Sequence, residues 1–182
     1  MNVLDVGCGS GHYQKSSKFR GVINIDVLKP KKKIPNFVLC DAQKLPFRKC
    51  VFEKVYFYDV LEHLEKPVQC LKDIKRVTKH NGVIVLGTPN ALFFPKILLS
   101  AIKGKYYPDG GHIATYGLPE LENLLNYADF KNFQIYTETY RNDKYNAMLE
   151  FITKLTPNSL KSRQLKAIIY NNSQFKPKFT AK

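Results

Sequence analysis

"VLDVGCGSG", Val3 to Gly11, is the stretch that decides the fold. A short run of strand-forming residues ends in glycines at 7, 9 and 11, which let the backbone turn sharply and approach a ligand without Cβ interference. That geometry serves a nucleotide-like molecule at the C-terminal edge of a parallel sheet. A dinucleotide fold wants GxGxxG, with pyrophosphate on the following helix N-terminus. Here the spacing is GxGxG, and Gly11 to Val22 leaves space for barely two helical turns at about 1.5 Å per residue. A ligand without phosphates fits this loop better.

Outward from the loop, β-rich runs alternate with helical patterns. "NVLDVG" (2–7), "GVINID" (21–26), "NFVLCD" (36–41), "FEKVYFYD" (52–59) and "GVIVLGT" (82–88) read as strands bounded by Gly, Pro and Asp. Their mostly apolar content suggests a sheet covered on both faces. Between the last two, Pro67 suits a first helical turn, Leu71, Ile74 and Val77 share a face, and Asn81-Gly82 predicts the helix stop. "LPELENLLNYADF" predicts a second helix with Leu121, Leu124, Leu125 and Ala128 facing the core. A sixth strand over 133–140, a helix over 144–155 and a seventh strand over 164–172 complete the pattern of an open α/β sheet.

The 182 residues suit one domain able to bury a core, and 44% hydrophobic content argues against overall disorder. The net charge of +14 attracts polyanions or anionic surfaces. Much of it is scattered over helical segments as on a solvated surface, apart from Lys29 to Lys33 and the tail from Lys176, and no RNA-binding or zinc-finger signature accompanies it. Cys8, Cys40, Cys50 and Cys70 form no CxxC pair and follow no signal peptide, which predicts reduced thiols and a cytoplasmic location. "ALFFPKILLSAI" (91–102) is too short to span a bilayer.

Two acids end strands behind the glycine loop. Asp26 closes the second strand, where a carboxylate can accept from both ribose hydroxyls, and Asp41 closes the third. Either alone reads as a turn or cap; both in register point to a ligand.

At these residues a resemblance is plain. "VLDVGCGSG", "INID", "CDAQKLPF" and "VLEHL" resemble the successive motifs of the class I S-adenosylmethionine-dependent methyltransferases, in particular the small-molecule methyltransferase-like group reading LDVGCG, DAxxLPF and VLEHL. It covers about Val3 to Phe130. The resemblance implies an α/β, Rossmann-like, mostly parallel seven-stranded sheet with helices on both faces. S-adenosylmethionine is the implied cofactor, and a small-molecule or lipid-like compound the implied acceptor. Gly7, Gly9 and Gly11 would line the methionine part, with Asp5 helping to hold its amino group. Asp26 would take the ribose hydroxyls, Asp41 and the backbone at Ala42 the adenine, and Asp59 would lie beside the methyl-bearing sulfur. The methyltransferase domain would span 1–172, with an insert or lid at 90–116 and a loose basic tail at 173–182.

His63 and His112 are the candidate catalytic bases. Asp59, Glu62 and His63 have i, i+3, i+4 spacing, which would set them on one side of a helical turn. A hard or borderline cation would accept such ligands, with His112 completing the set. The Glu-His pair is widespread in relatives thought to use no metal, and none is assigned. Tyr106, Tyr107 and Tyr116 border the same region and would hold an acceptor or simply pack. The apolar half of the insert, Leu92 to Ile102, suggests an apolar acceptor or interface, with burial against the body the plainer expectation.

Relatives usually carry helices before the first strand, whereas this sequence starts at it. The lid would then come from the later insert, from a dimer mate or partner subunit, or the sequence is a truncated form. Rival readings are an RNA methyltransferase, favoured by charge, and a non-catalytic cofactor-binding subunit; the GxGxG spacing argues against a nicotinamide dehydrogenase.

Overall fold

In the computed structural model, the described residues are 1–11, 21–104, 111–138, 160 and 162–172. Among them is a seven-stranded sheet built from β1 (Val3–Val6), β2 (Val22–Asp26), β3 (Phe37–Leu39), β4 (Phe52–Tyr58), β5 (Thr78–Pro89), β6 (Phe133–Glu138) and β7 (Gln164–Tyr170). The strand order is β3-β2-β1-β4-β5-β7-β6. The first five strands pair in parallel, while β7 runs antiparallel to both β5 and β6. The chain moves outward from β1 to β3 and then returns to the other side of β1 as β4. That reversal opens a crevice outside the carboxyl ends of β1 and β4, where open α/β sheets bind ligands.

β1 is buried along its length, as a central parallel strand must be. Its Leu4 and Val6 pack with Ile25, Val55, Phe57, Ile84 and Leu86. Helix α1 (Pro67–Val77) starts on a proline and buries Leu71, Ile74 and Val77 against this core. Helix α2 covers Phe94–Lys103, and α3 (Leu118–Tyr127) contributes Leu121 and Leu125 to the core, with Ala128 just beyond it. No described helix is long and apolar enough to cross a membrane, and the four cysteines are free thiols.

The helix stop differs from the sequence expectation. α1 ends at Val77, and Thr78, fully buried, already belongs to β5. Its hydroxyl donates to the Ile74 carbonyl at 2.7 Å, and Asn171 Nδ2 lies 3.2, 2.9 and 3.1 Å from the Lys75, Thr78 and Lys79 carbonyls. A residue nearly a hundred positions away thus satisfies orphan carbonyls that a local stop signal would otherwise serve. Gly82 has another purpose. Thr78 pairs with Phe52 but Val83 with Lys54, so the strand is irregular between them. A Cβ at Gly82 would sit 2.9 Å from the Lys79 carbonyl oxygen and 3.1 Å from that of Glu53.

The apolar insert also departs from expectation. No described side chain of α2 is buried, and Leu92, Ile97 and Ile102 are 43%, 42% and 73% exposed. The described core takes its helical side chains from α1 and α3 and none from α2. Apolar periodicity records a face that leaves water, without saying what covers it. The predicted helix at 144–155, the segment 12–20, Tyr106, Tyr107 and the tail lie outside the described residues, as do 139–140 of the predicted sixth strand.

Candidate functional site

The glycine loop leaves β1 with Gly7, Gly9 and Gly11 at φ of 72°, 51° and 77°. Gly7 and Cys8 donate their amides to the Ile25 carbonyl at 2.9 and 3.0 Å, which ties the loop to the end of β2. An alanine Cβ at Gly7 would fall well inside the radius of Val60 Cγ2, whereas one at Gly9 would meet nothing within 4 Å among the described residues. Gly7 is therefore required by packing, and Gly9 opens on free space.

Asp26 holds this loop directly. One carboxylate oxygen accepts from the Gly9 amide at 2.8 Å and the other from Leu28 at 2.9 Å. A carboxylate has about four lone-pair sites, so capacity for hydroxyl donors remains. Asp41, exposed at the end of the third strand segment, accepts from the Gln43 amide at 2.8 Å. The following turn is pinned to α1: Cys70 Sγ donates to the Ala42 carbonyl at 3.2 Å and Asp73 accepts from the Leu45 amide at 2.7 Å. "CDAQKLPF" thus shapes a fixed wall beside the loop.

Asp5 lies in β1 next to the loop and is 3% exposed, with Oδ2 buried and lacking a hydrogen-bond partner among the described residues. Burial, and secondarily the charge of Asp26, push its carboxyl up to about 6 from 3.8. The native state therefore holds a proton that the unfolded chain releases. The pH dependence has a definite sign: unfolding free energy should fall as pH rises from about 4 to 6, then stay level for this group, by roughly 2–3 kcal/mol in all. Chemical denaturation across that range, with Asp5→Asn as the comparison, checks this; an equal slope in the variant refutes it.

On the far side of β1, Asp59 follows β4 with a left-handed φ of 52°. Its amide donates to the Gly87 carbonyl at 3.0 Å, and its Oδ1 accepts from Gln164 Nε2 at 2.8 Å. The expected one-sided Asp59/Glu62/His63 set is not what forms. The left-handed residue breaks the helical spacing, only Leu61–His63 makes a 3-10 turn, and β7 takes the Asp59 carboxylate. The group that converges is Glu62, His63 and His112, with one ligand-type atom from each lying within 4.8 Å of the others.

Glu62 is 1% exposed; its Oε2 accepts from the Thr88 hydroxyl at 3.0 Å, and Oε1 is buried without a hydrogen bond among the described residues, 3.9 Å from His112 Nε2. Burial pushes the Glu62 carboxyl above its ordinary range, against the lowering effect of its hydrogen bonds. The His63 and His112 rings meet edge to face at 4.8 Å between centroids, and His63 Nδ1 donates to the Gly111 carbonyl at 2.9 Å. The loop carrying His112 is clamped in turn: the Ile113 and Ala114 amides donate to the Glu62 carbonyl at 2.9 and 3.1 Å. Tyr116 is 7% exposed and bridges Asn90, and burial and then Glu62 push its hydroxyl upward.

Three residues escaped the sequence reading. Thr88 and Asn90 end β5, and their place at a strand's carboxyl end was a usable signal. Asn90, buried, donates Nδ2 to the Ser162 carbonyl at 2.8 Å. Gln164 carries no local signal, because its role depends on β7 pairing with β5.

Comparison with known proteins agrees with this geometry. Residues 4–86 match the family model of a methyltransferase domain. A tRNA U34 carboxymethyltransferase of Campylobacter jejuni is 27% identical over 152 residues, covering 73% of this chain and 50% of that protein. A ubiquinone biosynthesis O-methyltransferase of Nitrosomonas europaea is 31% identical over 129 residues, covering 60% of this chain and 54% of its own length. The matches thus span about half the length of these relatives. A SAM-dependent methyltransferase from Archaeoglobus fulgidus has the same fold, with a TM-score of 0.68 at 20% identity over 93% of this chain and 85% of that one. Motif order, sheet order and the family match agree: residues 4–86 belong to a methyltransferase domain, on the fold of a SAM-dependent methyltransferase.

Proposed function

We propose that the protein transfers a methyl group from S-adenosylmethionine to a small-molecule or lipid-like acceptor that enters between Asp59, His63 and His112. The observation that carries this reading is Asp5, a buried carboxylate with an unpartnered oxygen next to a glycine loop whose middle residue opens on free space. An ammonium group there would recover the cost of that buried oxygen. The bound cofactor supplies a methyl group on a good leaving group, so the protein's task is alignment, exclusion of water and removal of a proton from the acceptor.

In this reading Asp26 orients a ribose through oxygens already anchored to the loop, and Asp41 with the Ala42 backbone presents polar groups to the adenine edge. Asp59, fixed by Gln164, lies on the reacting side. His112, close to a buried carboxylate, is placed to accept the acceptor's proton, with His63 in contact. The exposed apolar side chains of α2, which follows β5 at the ligand edge, suit an apolar acceptor. A second subunit over the cofactor edge is compatible with it: one protein of this fold is a methyltransferase in complex with the Haloferax volcanii Trm112 activator, with a TM-score of 0.66 at 13% identity.

An RNA acceptor is the second reading, favoured by the net charge of +14. It requires salt-dependent retention on tRNA together with methylation of it. The donor half is tested by thermal shift and calorimetry. At 100 times its Kd, S-adenosylmethionine should stabilise the native state by about 2.7 kcal/mol, and NAD should not. Absence of heat with both S-adenosylmethionine and its demethylated product would remove the reading, whereas binding without turnover on quinone-like, lipid, glycan and tRNA acceptors would favour a non-catalytic subunit.

A further inference from the structure

We infer that a basic cleft on the amino edge of the sheet docks a looped, single-stranded stretch of RNA through its phosphates and ribose hydroxyls. The inference does not depend on the methyl-donor reading. The cleft holds about 600 Å³ and is walled by the last turns of α1, the start of β5, the residues just before β4 and the end of α3. Lys49, Lys72, Lys75 and Arg76 line it, against the single carboxylate of Asp129. That carboxylate is already matched, 2.8 Å from the Lys75 ammonium and 3.5 Å from that of Lys131. Arg76 is held by Asp73 and by the Phe47 and Leu45 carbonyls. Lys49 and Lys72 are exposed and make no ion pair among the described residues, so they are the cations open to an incoming anion.

Chemistry and shape select the partner. α1 ends at this wall, and the Lys75, Thr78 and Lys79 carbonyls stand at the negative end of its macrodipole. A bare anion would be drawn by the lysines and repelled by the carbonyls. RNA offers phosphates to the first and 2′-hydroxyl donors to the second. A carbonyl has two lone pairs, so capping by Asn171 Nδ2 leaves acceptor capacity. Duplex DNA stays straight over about 50 nm and would lie across the mouth, whereas a looped strand can bend inward. None of the large apolar side chains exposed among the described residues lines the cleft, which makes a lipid surface the poorer match. The cleft and the crevice lie at opposite ends of β4, which is seven residues long, or about 23 Å at about 3.3 Å per residue. RNA held here therefore leaves the crevice open.

The test is fluorescence anisotropy of the full chain with a labelled RNA stem-loop, repeated over a range of salt. Each phosphate contact with a single strand adds about −0.7 to the slope of log affinity against log salt. Lys49→Ala and Lys72→Ala should each weaken binding roughly fourfold at about 0.15 M salt, and the double variant about 15-fold, with a slope shallower by about 1.4. Lys31→Ala with Lys32→Ala removes equal charge from the exposed loop after β2 and should stay within about twofold of the parent, because screening confines each charge to roughly 8 Å. Unchanged melting temperatures report that both double variants fold. Parent-like binding by Lys49→Ala with Lys72→Ala, or an equal loss in the two pairs, overturns the inference. Equal affinity for single-stranded DNA of the same sequence overturns the choice of RNA, as does binding to phosphatidylglycerol vesicles in place of RNA that the Lys49 and Lys72 variants lose. None of these readouts uses S-adenosylmethionine, so failure of the methyl-donor reading would leave the cleft standing.

Discussion

Asp26→Ala is expected to lower affinity for S-adenosylmethionine by roughly 100-fold or more, measured by calorimetry. Two charge-assisted hydrogen bonds at about 1.5 kcal/mol each amount to about two factors of ten. This structure adds a second reason, because the same carboxylate anchors the Gly9 and Leu28 amides and its loss frees the loop that the ligand must meet. Asp26→Asn keeps one acceptor oxygen and should fall between the parent and alanine. Among the described residues the Asp41 carboxylate accepts hydrogen bonds only from Gln43, so Asp41→Ala should cost about tenfold through the adenine contact alone. Parent-like affinity in Asp26→Ala would leave the ribose assignment without support.

The second large effect separates the glycines. Gly7→Ala should destabilise the protein by roughly 2–5 kcal/mol, since a left-handed φ of 72° costs about 1–2 kcal/mol for a residue with a Cβ and overpacking against Val60 adds about 1–3. For a chain of this size that is a melting-temperature drop on the order of 10 °C. Val60→Ala in the same background should restore part of it. Gly9→Ala meets no atom of the described residues, so it should lose only the backbone cost of about 1–2 kcal/mol while weakening binding of the methyl donor. Equal melting temperatures for the two variants would contradict the division of labour read from the loop.

The sequence disclosed most where one residue's surroundings are local. The glycine trio, the acidic strand tips and the apolar faces of α1 and α3 were legible because turn geometry, strand ends and helical periodicity are written within a few positions. The stop of α1 was not, because Asn171, just beyond β7, caps it and a left-handed stop at Asn81-Gly82 is not needed. The converging acid and histidines were half visible. Spacing identified Glu62 and His63, with His112 expected to complete the set, and the chain's fold keeps His112 but leaves Asp59 out, since Asp59 turns left-handed and is captured by Gln164. No spacing rule spans the distance between those partners. The insert shows the opposite limit, an apolar pattern correctly seen whose covering surface lies beyond the periodicity itself.

The place of β7 between β5 and β6 sets an order of assembly during synthesis. β6 emerges first, yet among the described strands its only neighbour in the sheet is β7, so it must wait for some thirty further residues before it can join. The five parallel strands can gather beforehand, with the far edge of β5 unpaired until β7 arrives. Because that same strand delivers Gln164 to Asp59, the Asp59 side of the crevice is completed only once β7 has been made and has paired.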